Sequence, residues 1–214
     1  MRAYVIAMDC EAACVRDRMA DAFASREYGR TVVSGRLGGE RVLLVVSGVG
    51  KSNAAAATQF AIQSGADEIV NLGVCGGFEP QMKIGDLYEV DRAVQYDFDL
   101  AQLNGTEVGV HNERTTPYFG LQTRGLFPAR TLGSGDRFSD SQADLPVLAR
   151  LGVTIRDMEG AAIAHVCEMN GVPCRILKCL SDVHGQGAMT DQYKANLSKA
   201  LLSLAQAFPA WCGK

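Results

Sequence analysis

The sequence predicts an α/β fold, a single domain over residues 1–214 with a mixed, largely parallel twisted central sheet flanked by helices. Three observations predict it. Apolar runs of strand length recur along the 214 residues. Stretches with helical periodicity fall between them. Glycines and polar residues mark the changes.

The elements follow in order. Residues 3–8 read as a short buried strand, and 11–23 as a helix. Residues 30–34 and 41–47 read as a strand pair around the Gly38-Gly39 turn. Gly48-Val49-Gly50 leads into an alanine-rich helix ending near Gly65. Strands are expected at 68–72, 87–96 and 129–134, with an irregular polar segment over 97–120. Residues 157–170 have helical periodicity and stop at Gly171. A strand over 174–180, interrupted by Lys178, and an amphipathic helix over 191–207 complete the chain. No internal repeat is present. In open α/β sheets ligands gather beyond the carboxyl ends of the strands, so those ends carry the functional reading.

Composition narrows the function. The chain is 47% hydrophobic and 21% charged, an ordinary globular balance, and carries a net charge of −3. That charge leaves no basic footprint for nucleic acid and no polybasic signal for a membrane. No stretch is long enough to span a bilayer. The first apolar run stops at Asp9, too early for a secretory signal core. The seven cysteines form no CxxC pair and several sit in apolar runs, as expected of buried free thiols in a reducing cytoplasm. A small-molecule enzyme of the cytoplasm is the expectation, without cofactor or metal. Gly50-Lys51-Ser52 looks like the end of a phosphate-binding P-loop, but Val45 stands where that loop needs its first glycine. The segment is read as a tight strand-to-helix turn.

Four strand-end segments place polar residues in apolar surroundings. They are Met8-Asp9-Cys10-Glu11, Asn71 through Phe78 with Cys75 and Gly76, Gly133 through Phe138, and Asp157-Met158-Glu159-Gly160 with the downstream Ser181-Asp182. Taken singly, each has a plain structural reading. Glu11 and Glu159 suit the first turn of a helix. Asp182 suits a turn or cap. Phe138 suits a core. Three carboxylates at three strand ends of one sheet make acid–base chemistry a competing reading.

In order along the chain, these segments resemble the nucleoside phosphorylase superfamily, and within it the methylthioadenosine/S-adenosylhomocysteine nucleosidases, the plant-type ones above all. The resemblance rests on Ala7-Met8-Asp9-Cys10-Glu11, Ser47-Gly48-Val49-Gly50-Lys51, Asn71 to Gly77 with Ile84-Gly85-Asp86, Ser134-Gly135-Asp136, and Asp157-Met158-Glu159-Gly160-Ala161-Ala162 with Ser181-Asp182. It implies a nucleoside phosphorylase-like fold and hydrolysis of the bond between a purine and its ribose. It implies that Asp182 protonates the purine at N7, oriented by Ser181. Glu11 would activate water, and Glu159 with Met158 would hold the ribose. Phe138 would pack on the base, with Cys75 and Gly76 lining the base and sugar sites. Met8 and Lys178 complete the implied binding set. The segment 97–118 is where the family shapes its 5′ pocket, often with a neighbouring subunit, which makes Phe98, His111 and Phe119 candidates there. A homodimer is implied as well.

The superfamily also contains phosphorolytic enzymes. Their Gly-Asp-Pro-x-Arg segment is replaced here by Met8-Asp9-Cys10-Glu11. Asn71 and Val74 stand where their second motif has arginine and serine. Holding a phosphate dianion needs cations and hydroxyls, so water is the expected nucleophile. Val74, Lys178 and Ser139 depart from common nucleosidase residues. The competing readings are a nucleosidase or phosphorylase for adenosine, inosine or a futalosine-like nucleoside, and a non-catalytic nucleoside-binding relative.

Overall fold

A computed structural model describes residues 1–111, 114–138 and 142–213, so Ser139 lies outside the described residues. In chain order the elements are β1 (Arg2–Ile6), α1 (Asp9–Arg16), β2 (Ala20–Glu27), β3 (Arg30–Leu37), β4 (Glu40–Val46), α2 (Lys51–Gln63), β5 (Glu68–Gly77) and β6 (Leu87–Gln95). They continue as α3 (Ala101–Asn104), β7 (Phe119–Gly120), β8 (Ala129–Ser134), α4 (Leu145–Arg150), β9 (Ile155–Asp157), α5 (Gly160–Met169), β10 (Cys174–Val183) and α6 (Met189–Cys212).

All the strands join one sheet, in the order β10-β6-β8-β9-β5-β1-β4-β3-β2 with β7 on β6. An additional pairing of β10 with β5 closes β5, β9, β8, β6 and β10 into a ring. The pairs β1–β4, β1–β5, β5–β10, β6–β8 and β8–β9 are parallel. The hairpin strands β2, β3 and β4 run antiparallel, as do β5–β9, β6–β7 and β6–β10.

The pleat divides the core in two. Ala3 and Val5 of β1 pack with Ala54, Ala57 and Ala61 of α2 and Ile163 of α5. Tyr4 and Ile6, on the opposite face, pack with Ala12 and Val15 of α1 and Leu204 and Phe208 of α6. Alternate residues of a strand face opposite sides, so helices on both faces each receive half of its apolar residues. Among the described residues, no helix is long and apolar enough to cross a membrane.

Several elements differ from the sequence expectation. The first helix stops at Arg16, and the chain turns into β2, which pairs with β3. Most of β2 is exposed, so it shows none of the apolar alternation that reveals a half-buried strand. Strands β5 and β10 extend past their apolar runs to Gly77 and Val183, because they pair with each other there. Segment 97–120 contains α3 and β7. Helix α6 begins two residues early and continues past Ala207 to Cys212.

Candidate active site

The carboxyl ends of β1, β5, β9 and β10 surround a cavity of about 330 Å³. Its lining includes Met8, Glu11, Cys75, Gly76, Phe138, Met158, Glu159, Ser181 and Asp182. The structure therefore brings together the residues implied for catalysis and for holding the base and ribose, with Lys178 outside the lining.

Glu11 sits in the first turn of α1 and is 4% exposed. Its carboxylate accepts the Met8 amide at 3.2 Å, which caps the helix, and the Val74 amide at 2.8 Å. The helix-turn reading is thus correct as far as it goes, and the Val74 contact ties the same group to β5. Burial pushes Glu11 above the usual carboxylate range, against the pull of the Lys178 charge. A side chain at Gly73 would meet Glu11 Oε1 at 2.8 Å and Lys178 Nζ at 3.2 Å, so this close approach requires glycine.

Lys178 lies behind the cavity at 2% exposure, with Nζ 2.8 Å from Asp157 Oδ2. Burial opposes its charge, yet Asp157, Glu159 and Glu11 outweigh that and hold the ammonium above its usual range. Its placement corrects the expectation of a substrate contact, because the ammonium faces carboxylates and not the cavity. Asp157 is bound on every side. It accepts the Ser134 hydroxyl, the Glu159 amide at 3.2 Å and the Gly160 amide at 2.9 Å. This fixes the start of α5 and with it Met158 and Glu159.

Glu159 accepts the Gly50 amide at 2.8 Å, from the glycine turn that ends β4. Burial first, then the Asp157 charge, pushes its carboxyl up to about 7. Asp182 is 1% exposed, with Oδ1 2.8 Å from Ser181 Oγ. That hydroxyl also lies 3.2 Å from the Cys75 carbonyl oxygen. A side chain on Gly76 would stand 2.6 Å from Asp182 Oδ2, so only glycine lets the acid approach β5 here. Phe138 is 47% exposed at the mouth and meets Tyr193 edge to face, with centroids 5.5 Å apart.

The turn holding Gly50 is itself anchored. The Lys51 amide donates to Asp136 at 2.7 Å, Lys51 pairs with Asp97, and the Asp136 amide donates to Asp97 at 3.0 Å.

The segment after β6 is placed differently from expectation. Phe98 stacks on His111 at 4.0 Å, His111 lies 4.5 Å from His165 of α5, and Phe119 stacks on His165 at 4.6 Å. None of Phe98, His111 and Phe119 lines the cavity.

Sequence reasoning missed Thr190, Tyr193, Lys194 and Arg156, all of which line the cavity. The first three share one face of α6, and their spacing of three and four residues was the available signal. Arg156 gave no such signal, because β9 is only Ile155-Arg156-Asp157 and has no apolar run for a charge to interrupt.

Three buried carboxyl groups, Glu11, Glu159 and Asp182, and the aromatic Phe138 line this one cavity. A family model described as Phosphorylase superfamily matches residues 2–208, and the chain belongs to that superfamily. It is similar to the 5′-methylthioadenosine/S-adenosylhomocysteine nucleosidase of Colwellia psychrerythraea, 31% identical over 213 residues, 87% of this chain and 85% of the relative. The nucleosidase of the same name from Marinomonas sp. is 30% identical over 195 residues, 84% of each chain. The crystal structure of the Neisseria meningitidis nucleosidase with methylthio-immucillin-A has a TM-score of 0.87 at 26% identity, covering 97% of this chain and 96% of the other.

Proposed function

We propose that this chain, acting as a single domain over residues 1–214, is a purine nucleosidase. It hydrolyses the N-glycosidic bond of 5′-methylthioadenosine and releases adenine, with S-adenosylhomocysteine and 5′-deoxyadenosine as further substrates. The observation that carries this reading is the pair Glu11 of α1 and Asp182 of β10, two buried carboxyl groups that line one cavity together with Glu159.

Breaking the bond leaves positive charge on the ribose and an electron pair on the base. Adenine is a poor anion, so an acid at N7 turns it into a neutral leaving group. Asp182, enclosed by the protein and steadied by Ser181, is that acid. Glu11 takes the proton of the attacking water, held by the Met8 and Val74 amides in a fixed orientation. Its negative charge also favours the cationic sugar. Glu159 accepts the ribose hydroxyls, Met158 packs beneath the sugar, and Phe138 lies on the purine. Cys75 and Gly76 form the wall beside the base, and Met8 lies towards the 5′ position. Lys178 orients Glu11 and Asp157 from behind. The logic is that of sugar hydrolysis by two carboxyl groups, with a heterocycle as the leaving group.

Water is favoured over phosphate by two details. The Asn71 amide donates to the Val5 carbonyl at 2.9 Å inside the core, so it offers no phosphate ligand. Glu11, Asp157, Glu159 and Asp182 in the lining repel a dianion. The working form is a cytoplasmic homodimer serving purine and methionine salvage.

The test is incubation with methylthioadenosine, S-adenosylhomocysteine, adenosine and inosine, with and without phosphate, scoring free base. Adenine release from methylthioadenosine without phosphate is expected. Release only with phosphate, or from none of them, overturns the reading.

A further inference from the structure

The turn between β4 and α2 reaches the cavity through Val49, which lines it. Gly48 and Gly50 on either side have φ of +84° and +101°, a region that glycine enters freely. Two glycines around one residue leave the shape of the turn to its contacts. Gly50 is the hinge between two rigid peptide planes. The first plane carries the Gly50 N–H, which donates to Glu159 Oε1 at 2.8 Å. Asn53 of α2 holds that plane by its other end, donating to the Val49 carbonyl at 2.8 Å. The second plane carries the Lys51 N–H, which donates to Asp136 Oδ1 at 2.7 Å. The same oxygen lies 3.2 Å from the point where a Gly50 side chain would begin, so Asp136 covers the hinge as well.

Asp136 is braced in turn. It follows β8, and its own amide donates to Asp97 Oδ2 at 3.0 Å. Asp97 follows β6, and its other oxygen pairs with the Lys51 ammonium. Lys51, Asp136 and Asp97 thus close a ring of three contacts across the segments that follow β4, β8 and β6. The Lys51 and Asp97 side chains are only 16% and 25% exposed, so water competes less for the pair than on an open surface. None of the three lines the cavity. Their route to it is the Gly50 amide and Glu159.

We propose that Asp136 is a positioning residue for ribose recognition. It fixes the Lys51 amide and the Gly50 hinge, the Gly50 amide holds Glu159 Oε1, and Glu159 Oε2 is thereby presented to the sugar hydroxyls. Asp97 and Lys51 keep Asp136 in place. This rests on the nucleosidase reading above, in which Glu159 holds the ribose. The ring touches neither the acid nor the base of the reaction, so it governs the hold on the sugar and not on the purine.

The experiment reads KM and kcat for methylthioadenosine and the inhibition constant of adenine, which has the base but no sugar. Asp136→Ala lowers kcat/KM about tenfold, the scale of one ordinary hydrogen bond, chiefly through KM. It leaves the inhibition constant of adenine unchanged. Asp136→Asn, which keeps an acceptor oxygen for the Lys51 amide, recovers most of that loss. In a Glu159→Ala background Asp136→Ala costs nothing further, because the residue it acts through is gone. Asp97→Ala shows the same split with a smaller loss, and carries the test if Asp136→Ala does not fold. A parallel rise in the adenine constant, a full loss added to that of Glu159→Ala, or wild-type kinetics in Asp136→Ala overturns the proposal. Wild-type protein that releases no base from methylthioadenosine overturns the nucleosidase reading instead, so the two failures are distinct.

Discussion

The two ends of the sheet handle buried charge in opposite ways. At the amino ends of β1, β5 and β10, Glu68 sits between two arginines. Arg2 Nε lies 2.7 Å from one of its oxygens and Arg175 Nε 2.7 Å from the other. Burial pushes Glu68 up, but the hydrogen bonds from Arg2 and Arg175 outweigh it and hold the group below its usual range. At the carboxyl ends of β1, β5 and β9, Glu11, Asp157 and Glu159 share the single ammonium of Lys178. There burial wins, and both Glu11 and Glu159 are raised. Paired carboxylates become structural anions, whereas crowded and desolvated ones become groups that exchange protons. Size does not separate the two ends. The cleft at the amino end is larger, about 680 Å³, but Arg2 and Glu68 in its lining are already bound to each other.

The strongest test of this contrast removes the proton carriers. Asp182→Asn and Glu11→Gln should each lower kcat by about 10²–10⁴-fold while the fold is kept. Near-normal turnover in either variant would remove that residue from the chemistry. Gly76→Ala comes next. Its new methyl would meet Asp182 Oδ2 at 2.6 Å and Met189 Cε at 2.9 Å, both side-chain atoms that must shift. A displaced acid should cost about 10²-fold in turnover, read from kcat with circular dichroism unchanged.

Stability against pH sharpens the same comparison. The Glu159 carboxyl is raised to about 7 from 4.5, so the fold favours its protonated form. That contribution is fully present below 4.5 and is lost as pH rises through about 7. Glu159→Gln should therefore gain more in melting temperature at pH 8 than at pH 5, relative to the parent, while binding of ribose hydroxyls weakens. Equal shifts at both pH values would show that Glu159 carries no such strain. Glu68 has the opposite sign. Its stabilisation is present above 4.5 and is lost as pH falls through its lowered value. Glu68→Gln should cost about 1 kcal/mol at pH 7, less in acid, and leave turnover unchanged. It is the smallest effect, and a change in kcat there would connect the two ends.

Much of this was legible from residues alone. Apolar runs in β1, β4 and β5 reported buried strands, and the glycine turn at 48–50 marked the entry to α2. Glu11, Glu159 and Asp182 stood out as carboxylates after apolar strands. The exposed strand β2 left no such trace, because its order comes from pairing with β3 and not from burial. Tyr193 was hidden in an ordinary amphipathic pattern, since periodicity reports that a face is covered and not by what. The aromatic and histidine residues after β6 could equally have faced a pocket, and only their packing on one another and on His165 places them outside the cavity lining.

The sequence by itself determined the α/β alternation, the two-sided core and which strand ends carry carboxyl groups, because each depends on local spacing and solvent exposure. The tertiary structure decided which of those ends meet. Closure of β10 onto β5 sets Asp182 beside Gly76, and the antiparallel return of β9 sets Arg156 on its other side. The same closure puts Lys178 behind the cavity and leaves Asp182 in front of it. Pairing between strands a hundred residues apart has no signature in local periodicity, so the order of residues across the sheet exists only once the ring has closed.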